Sequence, residues 1–252
     1  MTIERHDHVV VASIDGARWD ASISHDLIDA AEEMVEDRSI RAVVLRSTGT
    51  DFCTGIVDGF VPASVTPDPV SVWSRLRPPV VAAISGACLN VGFEMMLATD
   101  IVIAAPTSSY ALDHLATDQL PCWGGTQRLC RAIRPAEATA MTLLSTQINA
   151  DRAHQLGLVH AVIGDSNHLL DGLTVSAETV DEAALALALR LAERGPLALE
   201  LAKEAVHRGA EMPLRAGLRL EGDLNHQLAA TDDRAEGLQA FFDKRPPDFA
   251  GR

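Results

Sequence analysis

Three short stretches of this 252-residue chain carry side chains and turns that could do chemistry. The first is Phe52-Cys53-Thr54-Gly55-Ile56. The second is Ile84-Ser85-Gly86-Ala87-Cys88-Leu89-Asn90-Val91-Gly92-Phe93-Glu94. The third runs from Tyr110-Ala111-Leu112-Asp113-His114 to Leu120-Pro121-Cys122-Trp123-Gly124-Gly125-Thr126-Gln127-Arg128-Leu129. Glu94 stands one turn into a helical pattern whose other members, Phe93, Met95, Met96 and Leu97, are apolar. A carboxyl group in such a setting suits proton transfer. The turn before it opens a helix, and a helix start presents main-chain N–H groups that lack intrahelical acceptors. Those donors suit a carbonyl oxygen that gains negative charge during a reaction. His114 offers an imidazole, a group that ordinarily titrates near neutrality. Each feature also has a plainer reading. Most carboxylates on helices face water, so a solvated Glu94 is the commoner case. A lone His is more often a hydrogen-bonded structural residue, and Gly124-Gly125 is more often a helix-start turn than a phosphate cradle.

The elements that must position these residues alternate along the first half of the chain. His8–Ile14 and Arg41–Arg46 read as β-branched strands. Between them, 24–35 carries Leu27, Ile28, Ala31, Met34 and Val35 at helical spacing, with Ser24 as the expected N-cap. Val80–Ile84 and Ile101–Ala105 read as buried strands that bracket a short helix, Val91–Ala98. Gly124–Ile133, Pro135–Thr146 and Asp151–Leu156 read as helices, and Val159–Ile163 as a late strand. Gly59–Pro69, with three prolines, and the polar stretch Ser166–Thr179 read as loops. From Val180 onward the pattern is nearly continuous helix: Glu182–Glu193, Pro196–His207, Leu214–Leu228 and Arg234–Phe242. The expectation is an α/β body over 1–195 and a helical region over 196–252. No sequence repeat of 20–50 residues is evident.

Composition narrows the function. Asp and Glu number 35 against 21 Lys and Arg, a formal net charge of −14, which disfavours a nucleic-acid partner held by bulk electrostatics. Aromatics at 4% leave little for base-stacking platforms. The four cysteines, Cys53, Cys88, Cys122 and Cys130, form no C-x-x-C pair and read as reduced, buried small hydrophobes of a cytoplasmic protein. The first residues lack an apolar signal segment, and the longest apolar run, around Val80–Ile84, is too short to span a bilayer. His6-Asp7-His8 reads as a solvated terminus rather than a metal site.

Pro78-Pro79-Val80-Val81-Ala82-Ala83-Ile84-Ser85-Gly86, Gly92-Phe93-Glu94-Met95-Met96-Leu97-Ala98-Thr99-Asp100, the run from Pro121 to Gly124-Gly125-Thr126-Gln127-Arg128-Leu129, and Glu236-Gly237-Leu238-Gln239-Ala240-Phe241-Phe242-Asp243-Lys244-Arg245-Pro246-Pro247-Asp248-Phe249 together resemble the crotonase, or enoyl-CoA hydratase/isomerase, superfamily. They run in family order over nearly the whole chain. The resemblance implies a spiral of ββα units followed by a C-terminal helical region that builds trimers or hexamers. It implies a CoA thioester as substrate, no separate cofactor and no metal. It also implies two main-chain donors to the thioester oxygen, Ile56 after Gly55 and Val91. Arg18, and less directly Lys244, match positions that hold the CoA.

The chain departs from that pattern at places that bear on the reaction. Glu94 matches the first of two glutamates by which family hydratases hold a water, but His114, preceded by Asp113, stands at the second. Asn90-Val91 replaces glycines in the turn before Glu94, and the stiff Val91 tolerates positive φ poorly. Cys122 replaces a glycine, and the stretch from Ile56 to Pro78 is short, which implies an altered acyl pocket. Hydration of a 2-enoyl-CoA is the first expectation. The alternatives are a carbon–carbon bond hydrolase using Asp113 and His114, which would need a turn to bring the two together, and a non-catalytic acyl-CoA-binding protein.

Overall fold

The computed structural model describes residues 1–164, 168–169, 173–174 and 177–252, with 168–169 and 173–174 in backbone only. Its frame is a six-stranded sheet ordered Thr2–His6, Val9–Ile14, Ala42–Ser47, Val80–Ile84, Ile101–Ala104 and Ala161–Val162. The first pair is antiparallel and the others are parallel. The inner strands are continuous apolar runs because both faces are covered. Val10, Ala12 and Ile14 point into the larger core with Leu45, Ala82 and Ile84. Val9 and Val11, one step out of phase, join Val44, Val81 and Ile103 under the helix Val180–Ala192 on the other face.

Each inner strand hands the chain to a short strand of a second layer and then to a helix. Val9–Ile14 leads to Arg18–Trp19 and the helix Ala21–Glu36. Ala42–Ser47 leads to Gly55–Ile56 and the helix Pro69–Trp73, and Val80–Ile84 leads to Ala87–Leu89 and the helix Asn90–Met96. Ile101–Ala104 leads to Ser109–Ala111 and a 3-10 turn, Asp113–Thr117. The ββα spiral is therefore present as structure although no repeat is visible as sequence, because the units share a backbone path and not a residue pattern.

The differences from the sequence reading have local causes. The first residues form an edge strand, Thr2–His6, with all five side chains exposed, so they carry no apolar alternation. The first helix starts at Ala21, capped by Asp20, whose carboxylate accepts from Ile23 N at 2.9 Å; Ser24 is buried inside it. The segment read as a loop over Gly59–Pro69 contains a 3-10 turn, Pro62–Ser64, and ends where Pro69 opens a helix capped by Asp68. Half of the loop read over Ser166–Thr179 lies outside the described residues, and within it His168–Leu169 pairs with Leu173–Thr174. Cys53 and Cys88 are buried as expected, whereas Cys122 is exposed and Cys130 half-buried.

The helix Val180–Ala192, closed by a Thr179–Glu182 capping box, belongs to the sheet's outer core. The helices that follow, Pro196–Ala210, Leu214–Ala229 and Asp232–Asp243, bury little within the chain. Asp100, just before the inner strand Ile101–Ala104, receives Lys203 Nζ at 2.7 Å and His207 Nε2 at 2.9 Å and so ties the first of them to the body. Among the described residues no helix is long and apolar enough to cross a membrane.

Candidate active site

Glu94 is not the solvated helix residue that base rates favour. It is fully buried, with 0% exposure. One oxygen is fixed: Oε1 accepts from Trp123 N at 2.9 Å and from Gly125 N at 2.7 Å. Those amides converge because Gly124 takes a left-handed conformation, φ 98°, that starts the helix Gly125–Ala132. The helix-start reading of Gly124-Gly125 holds, and the start is aimed at a carboxylate. A Cβ on Gly125 would lie 2.8 Å from Glu94 Cγ, so only glycine fits there.

The other oxygen faces His114. Nε2 of His114 lies 3.2 Å from Glu94 Oε2, and the imidazole is 1% exposed. Neither ring nitrogen of His114 nor Oε2 of Glu94 makes a hydrogen bond among the described residues. The polar contact of the His114 ring among the described residues is the Glu94 carboxylate. A buried polar atom without a hydrogen bond costs about 1–3 kcal/mol, and Glu94 Oε2 and His114 Nε2 are each other's close polar contact at 3.2 Å.

The two stretches expected to supply main-chain donors lie side by side. Cys53 N donates to Ala87 O and Leu89 N donates to Cys53 O, both at 2.8 Å, which locks the Gly55–Ile56 segment to the strand entering the Glu94 helix. In the ladder with Arg18–Trp19 it is Val57 N that donates to Trp19 O, so the Ile56 N–H points to the opposite edge. Val91 is the second residue of a helix whose N-cap, Leu89, offers no side-chain cap. Its neighbour Gly92 directs its own N–H at the Cys53 sulfur, and a Cβ on Gly92 would sit 2.2 Å from Cys53 Cβ. Positive φ falls on Asn90, at 55°, and not on Val91, which resolves the conflict expected from a valine in this turn. Burial pushes the Cys53 thiol up to about 12, so it is a packing residue and not a nucleophile.

The remaining expected site residues divide. Asp113 and His114 do share a turn, the 3-10 segment Asp113–Thr117, but they do not pair. Asp113 Oδ1 accepts from Asn90 Nδ2 at 2.9 Å while both His114 nitrogens stay unbonded. The Asp–His dyad that a carbon–carbon hydrolase would use is therefore not formed. Arg18 reaches Ile56 O, with Nε at 3.0 Å, and Asp58 at 2.8 Å, beside the Gly55 turn. Lys244 ends the last helix in a left-handed conformation, and its ammonium makes no hydrogen bond or ion pair among the described residues. Cys122 lies within electrostatic reach of Glu94; burial first, then Glu94 and Asp68, push its thiol up to about 11.

Sequence reasoning missed the amides of Trp123 and Gly125 as the seat of Glu94, and the Asn90–Asp113 bond. The tandem glycines were a signal for the first. Asn at a turn position that needs positive φ was a signal for the second.

A ββα spiral that buries a glutamate of its third helix against a histidine is the architecture of the crotonase type. The enoyl-CoA hydratase/isomerase family model matches residues 18–252. A 2,3-dehydroadipyl-CoA hydratase of Escherichia coli is 35% identical over 90% of this chain and 87% of its own length. A probable enoyl-CoA hydratase of Mycobacterium bovis is 32% identical over 99% and 97%. The crystal structure of an enoyl-CoA hydratase from Bacillus anthracis superposes with a TM-score of 0.87 at 31% identity, covering 100% of this chain and 99% of that one. The chain belongs to the enoyl-CoA hydratase/isomerase family.

Proposed function

We propose that this protein adds water across the 2,3 double bond of a 2-enoyl-CoA thioester. The observation that carries the reading is the Glu94–His114 pair: two proton-transfer groups, buried, 3.2 Å apart, whose facing atoms make no hydrogen bond to any other described residue. One member takes a proton from water as the water oxygen bonds to C3. Electron density runs through C2 to the thioester oxygen, and a proton returns to C2 from the pair. The amides of Ile56 and Val91 receive that oxygen, and a donor of this kind contributes about 3–4 kcal/mol of transition-state stabilisation. Arg18, beside Gly55, and Lys244 serve the CoA moiety; no other cofactor or metal takes part.

The region 196–252 is proposed as the oligomerisation region of a homotrimer or hexamer. Val206, Leu214, Leu218, Phe241 and Phe242 are large apolar side chains left exposed there, and an apolar surface of this kind suits burial against a second copy. A cytoplasmic location fits the free cysteines.

The test is direct. Incubation with crotonyl-CoA, followed by loss of the enoyl absorbance, gives turnover in the wild type. Glu94→Gln, which keeps the shape and removes the acid, lowers kcat by about 10²–10⁴-fold while crotonyl-CoA still binds. Unchanged turnover in Glu94→Gln, or binding without turnover in the wild type, overturns the proposal.

A further inference from the structure

Asn90 stands where the chain needs a left-handed residue, φ 55°, immediately before the Val91 amide. Its side chain is not idle. With 6% exposure it donates Nδ2 to Asp113 Oδ1 at 2.9 Å, and Asp113 is the residue before His114. One hydrogen bond thus joins the turn that carries a thioester donor to the 3-10 segment that carries half of the acid/base pair. The two segments leave adjacent strands of one parallel ladder, Ala87–Leu89 beside Ser109–Ala111, with Leu89 opposite Ala111, and the side-chain bond carries the connection past the end of that ladder. A glycine at position 90 would satisfy the backbone equally well, because glycine adopts positive φ without cost. The turn accounts for a residue that tolerates positive φ, and the bond to Asp113 is what the Asn side chain adds beyond it.

We propose that the Asn90–Asp113 hydrogen bond is a brace that sets the Val91 N–H and the His114 imidazole in register, making Asn90 and Asp113 positioning residues for the reaction. The proposal rests on the hydratase reading above. The bond ties the residue before Val91 to the residue before His114, so it couples the two groups that act on one molecule at once. Misplacement of a reacting group by about 1 Å costs on the order of 10²-fold in rate.

The experiment compares Asn90→Gly, Asp113→Ala, the double variant and Asp113→Asn. Asn90→Gly keeps the backbone and removes the donor. Asp113→Asn keeps an oxygen acceptor and removes the charge. The expected result is a fall in kcat of about 10- to 100-fold in Asn90→Gly and in Asp113→Ala, with KM for crotonyl-CoA within a few-fold. The double variant falls no further than either single one, since both remove the same bond. Asp113→Asn retains most of kcat.

A spectroscopic readout separates positioning from loss of fold. The absorption of bound cinnamoyl-CoA moves to longer wavelength when its carbonyl is polarised. That shift is expected in the wild type and is reduced in Asn90→Gly at unchanged Tm. Wild-type kcat and an intact shift in both single variants overturn the brace alone. Losses that add in the double variant, or that follow Tm, also overturn the brace alone. A wild type that shows neither turnover nor shift overturns the hydratase reading and the brace with it.

Discussion

His114 Nε2 and Glu94 Oε2 face each other across 3.2 Å inside the spiral, while the second Glu94 oxygen is held by the amides of Trp123 and Gly125. One oxygen is anchored by main-chain amides and the other faces the imidazole. The carboxylate is thereby oriented before any substrate arrives, which is the condition for proton transfer without rearrangement.

His114→Ala removes the second group and leaves Glu94 seated. Turnover of crotonyl-CoA should fall by about 10²–10⁴-fold, with CoA thioester affinity held within a few-fold, as read by steady-state kinetics and calorimetry. Wild-type turnover in this variant would show that Glu94 works alone.

Gly125→Ala drives a methyl group to 2.8 Å from Glu94 Cγ and 2.9 Å from Oε1. Overpacking of this kind costs about 1–3 kcal/mol. Thermal denaturation should show a lower Tm, and activity should fall with it as the acid is turned. Gly222→Ala is the control. No atom lies within 4 Å of its added methyl group, and its helix gains up to about 1 kcal/mol.

The tie of the C-terminal helices to the sheet should show in acid. Burial pushes the Asp100 carboxyl up, but the His207 hydrogen bond and Lys203 outweigh it and hold it below its ordinary value. A lowered folded pKa means that the stabilisation is complete above the unfolded value, about 3.9, and is lost as pH falls through the folded one. Tm should therefore drop as the pH is taken below about 4. Asp100→Asn should lower Tm at neutral pH and flatten that acid limb. A limb as steep as the wild type's would remove Asp100 as its source.

Phe241 and Phe242 are both exposed on the last helix. Replacing both by Asp should shift the protein to smaller species in sedimentation or size-exclusion with light scattering. An unchanged mass would exclude this face from assembly.

The strands of the main sheet were legible because both faces are buried: 42–45 and Val80–Ile84 are unbroken apolar runs. The short strands Gly55–Ile56, Ala87–Leu89 and Ser109–Ala111 were not. Two or three residues leave no periodicity to read, and their pairing is set by the spiral around them. Glu94 was found, but its burial was not, because helical spacing cannot say what lies opposite a helix. Likewise Asp113 and His114 were located as neighbours, whereas the partner of Asp113 turned out to be Asn90, 23 residues earlier, a contact that only the crossing of two units creates.

Trp123 holds two things at once. Its amide points Glu94, and its indole donates to Pro62 O at 3.1 Å, in the short segment that follows the Gly55 turn. Whatever reshapes that segment is mechanically one side chain away from the acid. An attempt to widen the enzyme's diet by rebuilding residues 57–79 should therefore keep the Pro62 carbonyl where it is, and vary the stretch on either side of that fixed point.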